Sequence, residues 1–216
     1  MASIDLWCTP EGLLSVSRRR SIDSLHHPMP RRRIIQMVKP GIIRMPCLYV
    51  CPLSGLSGVA ARLNRFNLLT LLSPDHKGED HRALACERRV ELSFHDITEA
   101  RPGLVAPDRA AMQAILDFGR EAHDRTMLIH CWAGISRSSA AAYVIACDRN
   151  PGFERDIAEE LRRRAPSVTP NRLMVSLADD LLGRGGRMAE AIDRIGRGAD
   201  AFEGEPYQLP LSWPIG

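Results

Sequence analysis

A cysteine and an arginine separated by five residues, Cys131 and Arg137, sit in the run His130-Cys131-Trp132-Ala133-Gly134-Ile135-Ser136-Arg137-Ser138. That spacing lets one loop wrap a tetrahedral oxyanion, with the sulfur on one side and the guanidinium fork taking two oxygens on the other. The residues before the loop, 126–130, read as a short buried strand, and those after it, 138–146, read as a helix. A loop between a strand end and a helix N-terminus aims backbone N–H groups and the positive end of the helix dipole at an anion. The same field stabilises a thiolate.

His, Cys, Gly, Arg and Ser in this order arise by chance on the order of 10⁻⁷ per position at ordinary residue frequencies, so the loop outweighs the bland reading of Cys131 as a small buried hydrophobe. The pattern His-Cys-x-x-Gly-x-x-Arg-Ser resembles the phosphate-binding loop of the cysteine-dependent protein tyrosine phosphatases. The wording Ala133-Gly134-Ile135-Ser136-Arg137-Ser138 is most similar to the dual-specificity branch, and Arg164-Ala165-Pro166-Ser167-Val168-Thr169-Pro170-Asn171 resembles that branch's Arg-Pro-x-x-x-Pro-Asn segment. The likeness spans residues 45–184. It implies a dual-specificity phosphatase-like three-layer sandwich and a hydrolase that removes phosphate from monoesters without metal or other cofactor. Cys131 is then the nucleophile and forms a phosphocysteine. Arg137 clamps phosphate oxygens, and the N–H groups of Trp132, Ala133, Gly134, Ile135, Ser136 and Arg137 hold the equatorial ones. Gly134 lets the loop turn with its amides inward. The Ser138 hydroxyl eases thiolate departure, and His130 orders the loop by hydrogen bonding rather than acting as a base. Trp132 is a core aromatic or a pocket wall, and Asn171 is a helix N-cap or a brace for the phosphate loop.

Departure of an alkoxide or phenoxide needs a proton, which calls for a carboxylic acid near the leaving oxygen. The resemblance places this aspartate on a loop some thirty residues before the cysteine. Asp96 stands 35 positions before Cys131 and just after a strand over 88–94. Glu99 on the same loop is a rival, as is Asp108, although an acid at the start of a helix over 107–122 is also expected simply to complement the dipole. The Trp-Pro-Asp wording of the tyrosine-specific enzymes is absent.

These residues need a scaffold, and the hydrophobic pattern supplies one. Strands are expected over 47–51, 67–72, 88–94 and 126–130, and helices over 53–63, 107–122, 153–164, 171–182 and 187–197. The run 67–72 is nearly all apolar, as in a strand buried on both faces. Alternation of this kind predicts an α/β fold with a mostly parallel central sheet flanked by helices. Ligands bind such sheets beyond the carboxyl ends of the strands. Asp96, Cys131 and the polar loop 73–80 all fall there. The glycines at 183, 185 and 186 read as a helix stop, since a phosphate loop would need a lysine and a preceding strand.

Length and charge bound the rest. A chain of 216 residues suits one catalytic domain, expected over 45–200, with a tail over 201–216 whose aromatics Phe202, Tyr207 and Trp213 call for partial packing. Residues 1–44 hold eight Lys/Arg against three acids, a net of +5, leaving 21 basic and 23 acidic residues for the remainder, a net of −2. The first 44 residues show no sustained period and read as a basic arm, or as sequence ahead of a start at Met45. The near-neutral remainder disfavours nucleic acid. No run of eighteen apolar residues occurs, so no membrane-spanning helix is expected. Six cysteines without a CxxC or zinc-like spacing argue for a reducing, cytoplasmic setting. Phosphoinositide phosphatases of the superfamily this chain resembles tend to carry lysines in this loop, and positions 132, 133, 135 and 136 carry none, so the resemblance implies phosphotyrosine or phosphoserine/threonine protein substrates rather than a lipid. A small phosphorylated metabolite, or a catalytically silent phosphate-binding module, are the alternatives.

Overall fold

The computed structural model describes residues 47–76 and 83–214. The basic arm expected over 1–44 lies outside them, as does much of the polar loop after Ser73.

A five-stranded sheet runs in the order β3-β2-β4-β1-β5. Its strands are β1 (Cys47–Pro52), β2 (Asn67–Leu72), β3 (Arg88–Ser93), β4 (Met127–Cys131) and β5 (Tyr207–Pro210). Strands β1 to β4 are parallel to their neighbours, and only β5 runs antiparallel, against β1. The helices are α1 (Leu56–Ala60), α2 (Arg109–Glu121), α3 (Arg137–Arg149), α4 (Glu154–Arg164), α5 (Arg172–Leu181) and α6 (Arg187–Ile195). The α/β reading with a mostly parallel sheet is therefore the architecture found.

Strand periodicity sorts the core into two unequal layers. Leu48, Val50, Leu69, Leu71, Met127, Ile129 and Cys131 point to one face, where they pack with residues of α2 to α6. Leu68, Leu128 and Cys51 point to the other, against Leu56, Val59 and Phe66. Every residue of β2 and β4 is buried, as central strands covered on both sides require. Helix α3 is buried from Arg137 to Cys147, and four alanines in that stretch let its neighbours approach closely.

Two elements depart from the sequence pattern. The helix expected over 53–63 is a 3-10 turn, Leu53–Gly55, followed by the five residues of α1. Gly55 and Gly58 weaken helix propagation there, and the Leu53 N–H is taken by the Trp132 carbonyl at 3.1 Å. The tail carries a strand, β5, whose four residues are too short a run to announce it; Tyr207, Leu209 and Leu211 bury their side chains in the main core. Because β5 is antiparallel, its N-terminal end lies at the carboxyl end of β1, with Tyr207 opposite Val50. Residues 202–206 are thereby delivered to the same edge of the sheet as the loops after β1, β2, β3 and β4.

Candidate active site

The loop after β4 is held from outside through its carbonyl groups. The Trp132 carbonyl accepts from Leu53 N–H at 3.1 Å and the Ala133 carbonyl from Gly204 N–H at 2.8 Å. The Ile135 carbonyl accepts from Thr169 N–H at 3.1 Å and from the Ser139 hydroxyl. The Ser136 carbonyl accepts from Ala140 N–H at 2.9 Å, Asn171 N–H at 3.3 Å and the Ser139 hydroxyl. In a trans peptide the carbonyl and the following N–H point in opposite directions. Pinning these four carbonyls outward therefore turns the N–H groups of residues 133, 134, 136 and 137 inward. The Gly134 N–H shows the result, donating to Cys131 Sγ at 3.2 Å.

Gly134 can hold this turn because it has no side chain. Its φ is +71°, and a Cβ there would stand 2.7 Å from the Pro52 nitrogen and 2.9 Å from the Cys51 carbonyl carbon. Cys131 Sγ also lies 3.2 Å from the Ser138 hydroxyl, at the start of α3. Beneath the loop, His130 Nε2 pairs with the Thr70 hydroxyl at 2.8 Å, across the β2–β4 register.

Arg137 is buried and its guanidinium is aimed by groups from two other strand ends. Nη1 donates to the Phe94 carbonyl at 2.9 Å and the Ser73 hydroxyl at 3.2 Å. Its Nε is buried and makes no hydrogen bond; Asp96 Oδ2 is 3.8 Å away. Asp96 Oδ1 accepts from the Ser136 hydroxyl at 2.7 Å and from Asn171 Nδ2 at 2.8 Å. Asn171 makes contacts of both kinds considered for it. Its Oδ1 caps α5 by accepting from Met174 N–H at 3.1 Å, while its Nδ2 donates to Asp96 and to the Ile97 carbonyl. Its backbone N–H meanwhile holds the loop.

No protein-family model matches the sequence, nor does any curated protein. Among solved structures the chain is similar to DUSP15, at 16% identity over 68% of this chain and 89% of that one, with a TM-score of 0.49. It is also similar to Tk-PTP in the active form, at 20% identity over 65% and 92% with a TM-score of 0.47. A third is a human tyrosine phosphatase-like serine/threonine/tyrosine-interacting protein, at 16% identity over 64% and 92% with a TM-score of 0.49. At such identities and TM-scores the likeness decides nothing about chemistry, which rests on the side chains of this chain.

The remaining candidates separate cleanly. Asp108 accepts from Ala111 N–H at 2.8 Å as the N-cap of α2. Glu99 is exposed on the Asp96 loop. Trp132 is 44% exposed, which places it at the rim rather than in the core; the Phe202 ring meets it edge-on with centroids 5.3 Å apart. Thr70 and the delivery of residues 202–207 to the site escape sequence reasoning, and Ser73 enters it only as part of the polar loop 73–80. A serine directly after an apolar strand was a faint signal for Ser73; the other two carry none. Burial pushes the Cys51 thiol up to about 12, with the neighbouring Cys131 a lesser cause, so Cys51 stays a thiol through neutral pH. Tyr207 is likewise held well above its ordinary value, by burial first and then by Cys131 and Cys51. Among the described residues no group of three His, Cys, Asp or Glu could hold a metal ion, and no helix is long and apolar enough to cross a membrane.

Proposed function

We propose that the chain hydrolyses phosphomonoesters through a cysteinyl-phosphate formed on Cys131, with proteins bearing phosphotyrosine or phosphoserine/threonine as substrates. The observation that carries this reading is the loop whose four carbonyls are each held by a hydrogen bond from a neighbouring segment while the Gly134 N–H donates to Cys131 Sγ. Such a cradle is preorganised for three equatorial phosphate oxygens, and its donors need no rearrangement as charge develops. The Arg137 Nε supports the same reading, since it is buried without a hydrogen bond and is an N–H that a phosphate oxygen would satisfy.

In the first step the Cys131 thiolate attacks phosphorus, the S–P bond forms and the P–O bond to the leaving group breaks. Asp96 gives the leaving oxygen its proton. With Oδ1 held by Ser136 and Asn171, Oδ2, which lies 3.8 Å from Arg137 Nε, is the oxygen assigned to carry that proton. In the second step water attacks phosphorus, its proton passes to Asp96, and the S–P bond breaks to release inorganic phosphate. The Gly134 N–H and the Ser138 hydroxyl stabilise the departing thiolate. His130, tied to Thr70, keeps the start of the loop in place.

The test is hydrolysis of para-nitrophenyl phosphate by the full chain in the presence of EDTA, with Cys131→Ser and Asp96→Asn alongside. Turnover by the parent protein is expected to survive chelation and to yield to vanadate, while Cys131→Ser loses it and still binds phosphate. Asp96→Asn should slow poor leaving groups far more than good ones. Loss of activity on chelation, or substantial turnover by Cys131→Ser, would overturn the mechanism. Vanadate binding without turnover would mark a phosphate-binding module instead.

A further inference from the structure

Among the described residues four large hydrophobic side chains are exposed: Leu104, Val105, Trp132 and Phe202. All four belong to segments of the candidate site. Leu104 and Val105 lie on the Asp96 loop, which the Val105 backbone ties to His95 through N–H to Nδ1 at 2.9 Å and carbonyl to N–H at 2.7 Å. Trp132 is part of the oxyanion loop. Phe202 lies far off in sequence and is brought there by β5.

Phe202 is 79% exposed, yet the two residues that follow it are both anchored. The Ser54 hydroxyl donates to Glu203 Oε2 at 2.6 Å, and the Gly204 N–H donates to the Ala133 carbonyl at 2.8 Å. Gly204 has little room for more, since a Cβ there would lie 3.3 Å from the Gly134 carbonyl oxygen. The ring is therefore fixed by its backbone against the Trp132 edge, at an interplanar angle of 78°, while its own surface stays open to solvent. Such an arrangement presents a flat, apolar surface beside an anion cradle without filling it. A tetrahedral oxyanion gains nothing from it; the organic group carrying the phosphate does.

We propose that Phe202 is a specificity-determining residue, forming with Trp132 an aromatic wall that takes the aryl group of an aryl phosphate. This rests on the phosphatase reading and sharpens it, since alkyl phosphates would reach the cradle without engaging the wall. An edge-to-face contact of a ligand ring with such a wall corresponds to about 3- to 10-fold in affinity.

Inhibition of para-nitrophenyl phosphate hydrolysis by phenylphosphonate, methylphosphonate and inorganic phosphate separates the contributions, because none of the three has a leaving group. Phe202→Ala should weaken phenylphosphonate by about 3- to 10-fold, with methylphosphonate and phosphate within about twofold. Phe202→Trp should restore phenylphosphonate binding. Its high exposure makes Phe202 dispensable for folding, and thermal unfolding beside the parent checks this. A Phe202→Ala protein whose three inhibition constants all stay the same, or all shift together, would overturn the proposal. Failure of inorganic phosphate to bind the parent protein would instead remove the phosphatase reading, and the aryl wall with it.

Discussion

Asn171 joins three things that a single substitution series can take apart. Its Oδ1 caps α5, its Nδ2 holds Asp96, and its backbone N–H supports the oxyanion loop. Asn171→Ser keeps a capping oxygen and removes the amide donor, whereas Asn171→Ala removes both. The cap is worth about 1 kcal/mol, so the alanine variant should be less stable than the serine variant by about that amount. A hydrogen bond to a charged group is worth about 1.5–3 kcal/mol, and the lower end applies here. Ser136 still holds Asp96 Oδ1, and the Asp96 side chain is 35% exposed to solvent. About 1.5 kcal/mol of lost positioning corresponds to roughly a tenfold fall in the rate that depends on Asp96. The assay is kcat/KM across aryl phosphates of graded leaving-group pKa, together with urea unfolding of each variant. Both variants should lose about tenfold on the poorest leaving groups and little on the best, with the stability loss concentrated in the alanine protein. An unchanged leaving-group dependence in Asn171→Ser would refute the assignment of Asn171 as the residue that positions the acid. Equal stability of the two variants would refute the cap.

Gly134→Ala places a Cβ 2.7 Å from the backbone nitrogen of Pro52 in a residue with φ of +71°. The left-handed conformation alone costs about 1–2 kcal/mol outside glycine, so we expect stability to fall by about 2 kcal/mol or more. Vanadate affinity should fall with it; native affinity in that variant would contradict the inward-amide geometry. The raised thiol of Cys51 predicts an alkaline stability loss. Its folded value of about 12 exceeds the ordinary 9.0, so between these values the folded state holds a proton that the unfolded state has lost. Its stabilisation is full below pH 9 and declines by about 1.4 kcal/mol per pH unit as pH rises toward 12. Cys51→Ala should flatten the unfolding free energy across that window, and an unchanged slope would show that Cys51 does not carry it.

The elements legible in the sequence were those whose signals are local. The apolar run of β2, the polar residues Asp108 and Asn171 at the starts of α2 and α5, the glycine stop after α5, and the strand–loop–helix around Cys131 each lie within one short window, where periodicity and turn chemistry act between near neighbours. The shortened helix after β1 was misjudged because apolar spacing outweighed two glycines. Strand β5 is not legible because its alternation runs for only four residues and ends on a proline; antiparallel pairing with β1 forms it.

The candidate site divides along the same line. Cys131, Gly134, Arg137 and Ser138 fall within one eight-residue run, so their types and spacing are legible in the sequence alone. Which way its amides face depends on partners far along the chain: Leu53, Thr169, Asn171 and Gly204 on its carbonyls. The aim of Arg137 depends on Ser73 and the Phe94 carbonyl, and the place of Asp96 on Ser136 and Asn171. The aromatic wall depends on β5 turning the tail back to the carboxyl edge of the sheet. Residue types in a loop determine what chemistry is possible. Hydrogen bonds between segments brought together only by the packed sheet decide the direction in which that chemistry points.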